Sequence, residues 1–225
     1  MSARPVIGLL VIGQAPRPAL LAEFERDFGD AAELKMRGAL DHLDEAGLAQ
    51  AAPSSAATTL YTTLPSGRSI LVDKKVVTEG MAARLAELDD LGARATFVCC
   101  TGRFPSLAAP GVHFASDLLA GAVTGCLQGG RLGIFIPTPA QAENARTRWG
   151  AKGYDVSVIA VQPDAGEEEI RDAARQMAEV EADLAVFDCI SYTSRFRQIT
   201  SEILPTPALL AVSVTARFAA ELVGV

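Results

Sequence analysis

The chain has 225 residues, 49% of them hydrophobic, enough for one large domain or two small lobes around a buried core and too apolar for a disordered or fibrous protein. A formal charge of −7 gives no electrostatic footprint for nucleic acid and opposes an anionic membrane surface, which leaves a small molecule as the expected partner. No segment approaches the ~18 apolar residues of a membrane span, and Cys99, Cys100, Cys126 and Cys189 lack the paired CxxC spacing of a zinc site, so they read as reduced thiols of a cytoplasmic protein.

Short β-branched runs alternate with stretches of helical period, the pattern of mostly parallel sheets built from βαβ units. The apolar run 6–12 has one arginine before it and no small-residue cleavage pattern behind it, so it is a first strand and not a leader. The turn through Gly13, Gln14, Ala15, Pro16 and Arg17 opens a helix over 18–28. Between 31 and 75 the apolar runs are short, and 58–63 and 69–73 read as two antiparallel strands joined through Pro65, Ser66 and Gly67. Arg68, Lys74 and Lys75 flank that hairpin, which in this position can fold over a cleft as a lid. A helix over 78–91, stopped by Gly92, leads to a strand over 95–100 and a helix over 117–127. The strand 131–136 follows Gly129 and Gly130; with Gly133 these make no phosphate loop, because they precede a strand instead of opening a helix. Thr138 and Pro139 suit the N-cap and first position of a helix over 138–151, with Gly153 as its stop. Strands over 156–161, 184–189 and 208–212 alternate with helices over 167–180, 194–203 and 215–223.

Two cysteine strands match without gaps, Phe97-Val98-Cys99-Cys100-Thr101-Gly102 against Val186-Phe187-Asp188-Cys189-Ile190-Ser191, as in an internal duplication. Cys100 then corresponds to Cys189, each at the carboxyl end of a strand, where ligands bind in open α/β sheets. Two thiols across a crevice can remove a proton from one face of a carbon acid and return it on the other, with no metal or organic cofactor. A free thiol is only a few per cent ionised at neutral pH, and a helix N-terminus after each sulfur is expected to lower its pKa. A papain-like Cys–His pair is disfavoured, since neither cysteine flank contains a histidine and His42 and His113 sit in segments with no reason from sequence to meet a thiol. Cys99, pointing to the opposite face of its strand, and Cys126, on the expected buried face of its helix with Leu119 and Val123, read as packing residues.

Other candidates end at the same sheet edge. Gln14 and Arg17 can anchor a carboxylate, although Arg17 also suits a solvated position before a helix. Thr101 and Ser191 can donate to a bound acid or serve as caps, and Pro137, Thr138 and Ser213 are placed to line the cleft without a chemical signature of their own.

The ordered motifs Ile12-Gly13-Gln14-Ala15-Pro16-Arg17, Cys100-Thr101-Gly102 and Asp188-Cys189-Ile190-Ser191-Tyr192 resemble the AroM family, which is similar in turn to the aspartate/glutamate racemase superfamily with its hydantoin racemases, maleate isomerases and arylmalonate decarboxylases. The resemblance spans essentially the whole chain. It implies two pseudo-symmetric α/β lobes with mostly parallel sheets flanked by helices and a cleft between them. Residues 1–115 with 208–225 would form one lobe and 116–207 the other. It also implies a cofactor-independent racemase or epimerase acting on a small carboxylate-bearing or cyclic carbonyl substrate. Cys100 and Cys189 would then be the catalytic pair, with Gln14, Arg17, Thr101, Gly102, Pro137, Thr138, Ser191, Tyr192 and Ser213 around the substrate. Cys-Thr-Gly, where amino-acid racemases commonly carry Cys-Asn-Thr, leaves the substrate open. So do a lyase or decarboxylase reaction in the same cleft, a non-catalytic binding role, and assembly as a homodimer. Two sulfurs acting on one tetrahedral carbon, each approaching to ~3–3.5 Å, should stand about 7–10 Å apart.

Overall fold

The computed structural model describes residues 4–224. The first part of the chain runs β1 (Val6–Val11), α1 (Pro18–Phe28), β2 (Glu33–Gly38), α2 (Glu45–Gln50), β3 (Thr59–Thr63), β4 (Ser69–Asp73), α3 (Lys74–Asp90), β5 (Ala93–Cys99), β6 (Val112–Phe114) and α4 (Ala115–Cys126). The second runs β7 (Gly130–Ile136), α5 (Ala142–Gly150), β8 (Tyr154–Ala160), α6 (Glu167–Glu179), β9 (Leu184–Phe187), α7 (Ser194–Ser201), β10 (Ala208–Leu210) and α8 (Ala211–Val223). Among the described residues, no helix is long and apolar enough to cross a membrane.

Each lobe is built on a four-stranded parallel sheet flanked by helices, in the orders β2-β1-β5-β6 and β8-β7-β9-β10. These orders are the same when the strands are matched in sequence, so β5 corresponds to β9, and the duplication extends to the three-residue strands β6 and β10 that run straight into α4 and α8. Parallel strands covered on both faces need apolar residues at nearly every position. β1 is buried from Ile7 onwards and β9 throughout. A stack of Phe135 on Phe187 at 4.8 Å, with Tyr192 and Phe196 against Phe187, fills the second lobe beneath the end of β9. Each such ring contributes roughly 1.5–3 kcal/mol by leaving water.

Several boundaries differ from the sequence reading. β2 was absent from it because Glu33, Lys35 and Arg37 interrupt the apolar pattern, although backbone pairing to β1 holds the segment as a strand. β6 and α2 are too short to carry a period. α3 starts at Lys74 and not at 78, because Asp73 caps it by accepting from Lys75 N at 2.8 Å. The expected strand 208–212 ends at Leu210, and α8 starts four residues earlier than expected, so Ser213 is helical and buried. β10 pairs with β9, in the second sheet, whereas α8 packs on α1 and α4. Gly92 (φ +75°) and Gly153 (φ +91°) do follow α3 and α5 in the left-handed region, where a side chain would be strained.

The lobes are tied across the cleft by polar groups. Glu23 of α1 is buried, and accepts from Ser194 N at 2.9 Å and Ser194 Oγ at 2.8 Å, capping α7 of the other lobe in place of a local side chain. Tyr61 and Ser69 of the β3–β4 hairpin donate to Asp164 of the second lobe at 3.3 and 3.2 Å. Glu23→Ala would orphan the Ser194 N–H at the start of α7, and we expect it to lower the unfolding free energy by about 1–3 kcal/mol in chemical denaturation. A change under about 0.5 kcal/mol would show that the cap carries no such weight.

Candidate active site

The strand ends of the two lobes face one cavity of about 80 Å³, room for a few waters or one small ligand. Its walls are the loop after β5 with Cys100, Thr101 and Gly102, the loop after β9 with Asp188, Cys189 and Ser191, Arg17 at the start of α1, Gln141 just before α5, and Asn144 and Arg148 from α5. The hairpin strand β3 closes one side with Tyr61 and Thr62. The position expected of a lid is therefore occupied by β3, while Arg68 at the turn points away and pairs with Glu45, and Lys74 lies over the Phe104 ring at 5.5 Å.

Both sulfurs are held by the same local device. Gly102 N donates to Cys100 Sγ at 3.3 Å, and Ser191 N donates to Cys189 Sγ at 3.5 Å, in each case from two residues on. These are the turns expected from the sequence, but they do not make the thiols acidic. No α-helix starts directly after Cys100, only a short 3-10 turn at Pro105–Leu107. Burial pushes Cys100 up to about 12 and Cys189 up to about 11, against the smaller opposing pull of those N–H groups. Burial raises Cys99 as well, and its thiol ends on Phe97 O, as expected of a packing residue. Cys126 is exposed and not buried: Leu119 and Val123 take the inner face of α4, and the helix end turns the thiol outward.

Arg17 lies in the cavity wall, with Nη1 3.5 Å from Thr62 Oγ1 and Nη2 3.3 Å from Ser191 Oγ. Burial lowers its pKa, and the neighbouring Cys189 works in the opposite direction. A guanidinium held by hydroxyl groups alone is ready to accept an anion. Pro137 also lines the cavity. Four other candidates do not. Gln14 turns its amide inward, donating to Leu40 O at 3.1 Å and Leu43 O at 2.7 Å, and thereby fixes the loop after β2. Tyr192 is fully buried in the aromatic stack and donates to Val161 O at 2.6 Å. Ser213 is buried within α8, and Thr138 is half-buried at the start of a 3-10 turn without lining the cavity. The hydroxyl of Thr101 is already committed, donating to Asp188 O at 3.2 Å across the lobes.

The residues that sequence reading missed form the other wall. Asp188 is buried, and its carboxylate receives Arg148 and, at 2.8 Å, Trp149 Nε1. Arg148 also donates through Nη1 to Thr101 O at 2.6 Å. An acidic residue inside the run Leu184–Asp188 was a usable signal for a buried polar site. Arg148, among charged helix neighbours, looked like any solvated arginine. Among the described residues, no three His, Cys, Asp or Glu side chains are placed to hold a metal ion.

The fold and cleft define the class: this is a two-lobed protein of the aspartate/glutamate racemase fold. It is similar to allantoin racemase from Klebsiella pneumoniae, at 15% identity and a TM-score of 0.63, covering 98% of this chain and 88% of that one. Glutamate racemase from Thermus thermophilus matches at 19% identity and a TM-score of 0.59, over 98% and 81% of the two chains. Arylmalonate decarboxylase matches at 13% identity and a TM-score of 0.63, over 98% and 93%. No curated protein matches the sequence. Residues 7–223 match the AroM protein family, and the chain belongs to it.

The raised thiol values carry a stability consequence. The native state keeps two protons on sulfur that the unfolded chain loses above its ordinary thiol pKa of 9.0, so this contribution is complete below about pH 9 and is lost as pH rises toward 11–12. In urea titrations at pH 8 and 10.5, the Cys100→Ala/Cys189→Ala double variant should lose less stability than the wild type. An equal or steeper loss would contradict the burial of both thiols.

Proposed function

We propose that the protein is a cofactor-independent racemase or epimerase for a small carboxylate-bearing or cyclic carbonyl compound, with Cys100 and Cys189 exchanging a proton at carbon. One observation carries the reading: two thiols from corresponding strand ends of opposite lobes face a single small cavity, each under a backbone N–H from two residues on.

The chemistry follows from that arrangement. The substrate anion sits against Arg17 and Ser191, where removal from water strengthens charge-assisted bonds. A cysteine thiolate on one face takes the proton, leaving its electron pair on carbon and forming S–H. The thiol on the other face then donates its proton to that carbon and becomes the thiolate. The N–H groups of Gly102 and Ser191 hold whichever sulfur carries the charge, so each step moves charge between two prepared positions. Four free cysteines support a reducing compartment, and we place the reaction in the cytoplasm.

Because both thiols ionise well above neutrality, kcat/KM should rise about tenfold per pH unit between pH 7 and 9. A profile flat across that range would show a base already ionised at neutral pH and contradict a base drawn from these raised thiols. In deuterated water, candidate 2-substituted carboxylates and cyclic ureides should gain deuterium at the reacting carbon. Cys100→Ser and Cys189→Ser should each abolish racemisation. Turnover retained in both single variants would sink the proposal, and loss of substrate with one enantiomer as product would assign a lyase reaction to the same cleft.

A further inference from the structure

The two thiols stand in unequal surroundings: Ser191 stabilises the Cys189 thiolate through its hydroxyl as well as its N–H, Cys189 opposes ionisation of Cys100, and two arginines that reach across the lobes each act on one thiol. Arg17, just before α1, donates to Ser191 Oγ at 3.3 Å, two residues past the other lobe's cysteine, and its positive charge acts on Cys189. Arg148, from α5, donates to Thr101 O at 2.6 Å, one residue past Cys100, and its charge acts on Cys100. Each lobe therefore supplies one cysteine and the guanidinium that faces the opposite cysteine.

The two guanidinium groups differ in what neutralises them. Arg148 is ion-paired with the buried carboxylate of Asp188, and Trp149 Nε1 donates to the same oxygen, Oδ2, at 2.8 Å. Arg17 has the hydroxyls of Thr62 and Ser191 as its side-chain partners, and among the described residues no carboxylate lies within ion-pair distance of it. The remaining groups facing the sulfurs do not cancel this difference. Asp188 opposes ionisation of both thiols. Tyr61 and Tyr192, beside Cys189, are phenols held neutral by burial, and Cys99, beside Cys100, is a buried thiol that stays protonated.

We infer that this asymmetry fixes the roles of the pair in the free enzyme: Cys189, facing the uncompensated Arg17, is the thiol that ionises and serves as base, and Cys100, facing the neutralised Arg148–Asp188 pair, is the proton donor. Asp188 is then a positioning residue whose carboxylate keeps Arg148 from stabilising a second thiolate. Burial raises both thiols, but in the same order, Cys189 to about 11 and Cys100 to about 12. The inference rests on the two-cysteine reading of the cavity and adds a direction to it.

The test is residue-resolved alkylation of the free enzyme by iodoacetamide at pH 8.5, followed by peptide mass spectrometry. The thiol that ionises more readily alkylates faster, although its lower nucleophilicity narrows the gap. Cys189 should therefore react at least about twofold faster than Cys100. Arg17→Met should slow Cys189 at least threefold while leaving Cys100 within twofold. Asp188→Asn should free the charge of Arg148 and accelerate Cys100 until the order is equal or reversed. A merely structural role for these residues would move both rates together. Cys100 reacting as fast as Cys189 in the wild type, or a ratio that neither variant changes, overturns the assignment. Should Asp188→Asn fail to fold, Arg17→Met decides alone. Deuterium uptake at carbon is scored separately, so loss of the racemase reading and loss of the thiolate assignment give different results.

Discussion

The Arg148 guanidinium, lodged between the loop that follows β5 and the loop that follows β9, is the contact on which the geometry of the cleft depends. It donates to Thr101 O at 2.6 Å and pairs with Asp188, while Thr101 Oγ1 donates to Asp188 O at 3.2 Å. Thr101 adjoins Cys100 and Asp188 adjoins Cys189, so three polar bonds set the separation of the two sulfurs. Breaking such a buried pair by removing one partner is costly, because the other charge is left without compensation. The cell of polar groups therefore holds the lobes in register as well as shaping the cavity.

Around that cell, the duplicated sheets explain why the two cysteines are alike in position and unlike in surroundings. The matched strand orders bring β5 and β9 to corresponding places, and the same turn puts an N–H on each sulfur. The duplication does not extend to the arginines. Arg17 precedes α1, whereas Arg148 lies in the second half of α5, so their resemblance is one of reach and not of descent from a common position. Symmetry in the backbone supplies two matched thiols, and asymmetry in the side chains gives them different surroundings.

The parts of this arrangement legible in the sequence were those set by local pattern. Buried parallel strands announce themselves as continuous apolar runs, and the gapless match of the two cysteine segments located Cys100 and not Cys99. Helix starts were less secure, since Asp73 as a cap and the abrupt passage from β10 to α8 depend on tertiary placement. The tail of the chain illustrates this: Ser213 looked like a cleft residue because strand 208–212 seemed to reach it. Side-chain destinations were least legible. Gln14 and Tyr192 carry useful polar groups, but each finds a backbone carbonyl away from the cavity, and Arg148 has no local feature that separates it from the exposed Arg146 two residues earlier. The acidity of the thiols was misjudged for the same reason, as burial outweighs a single N–H dipole.

The account stands on two sulfurs addressing opposite faces of one carbon. A crystal structure with a slowly reacting carboxylate bound tests this most directly. The account predicts the carboxylate on Arg17 and Ser191, with the sulfurs of Cys100 and Cys189 about 7–10 Å apart and each ~3–3.5 Å from the carbon. A ligand with both sulfurs on one face, or with either sulfur turned out of the cavity, would contradict it.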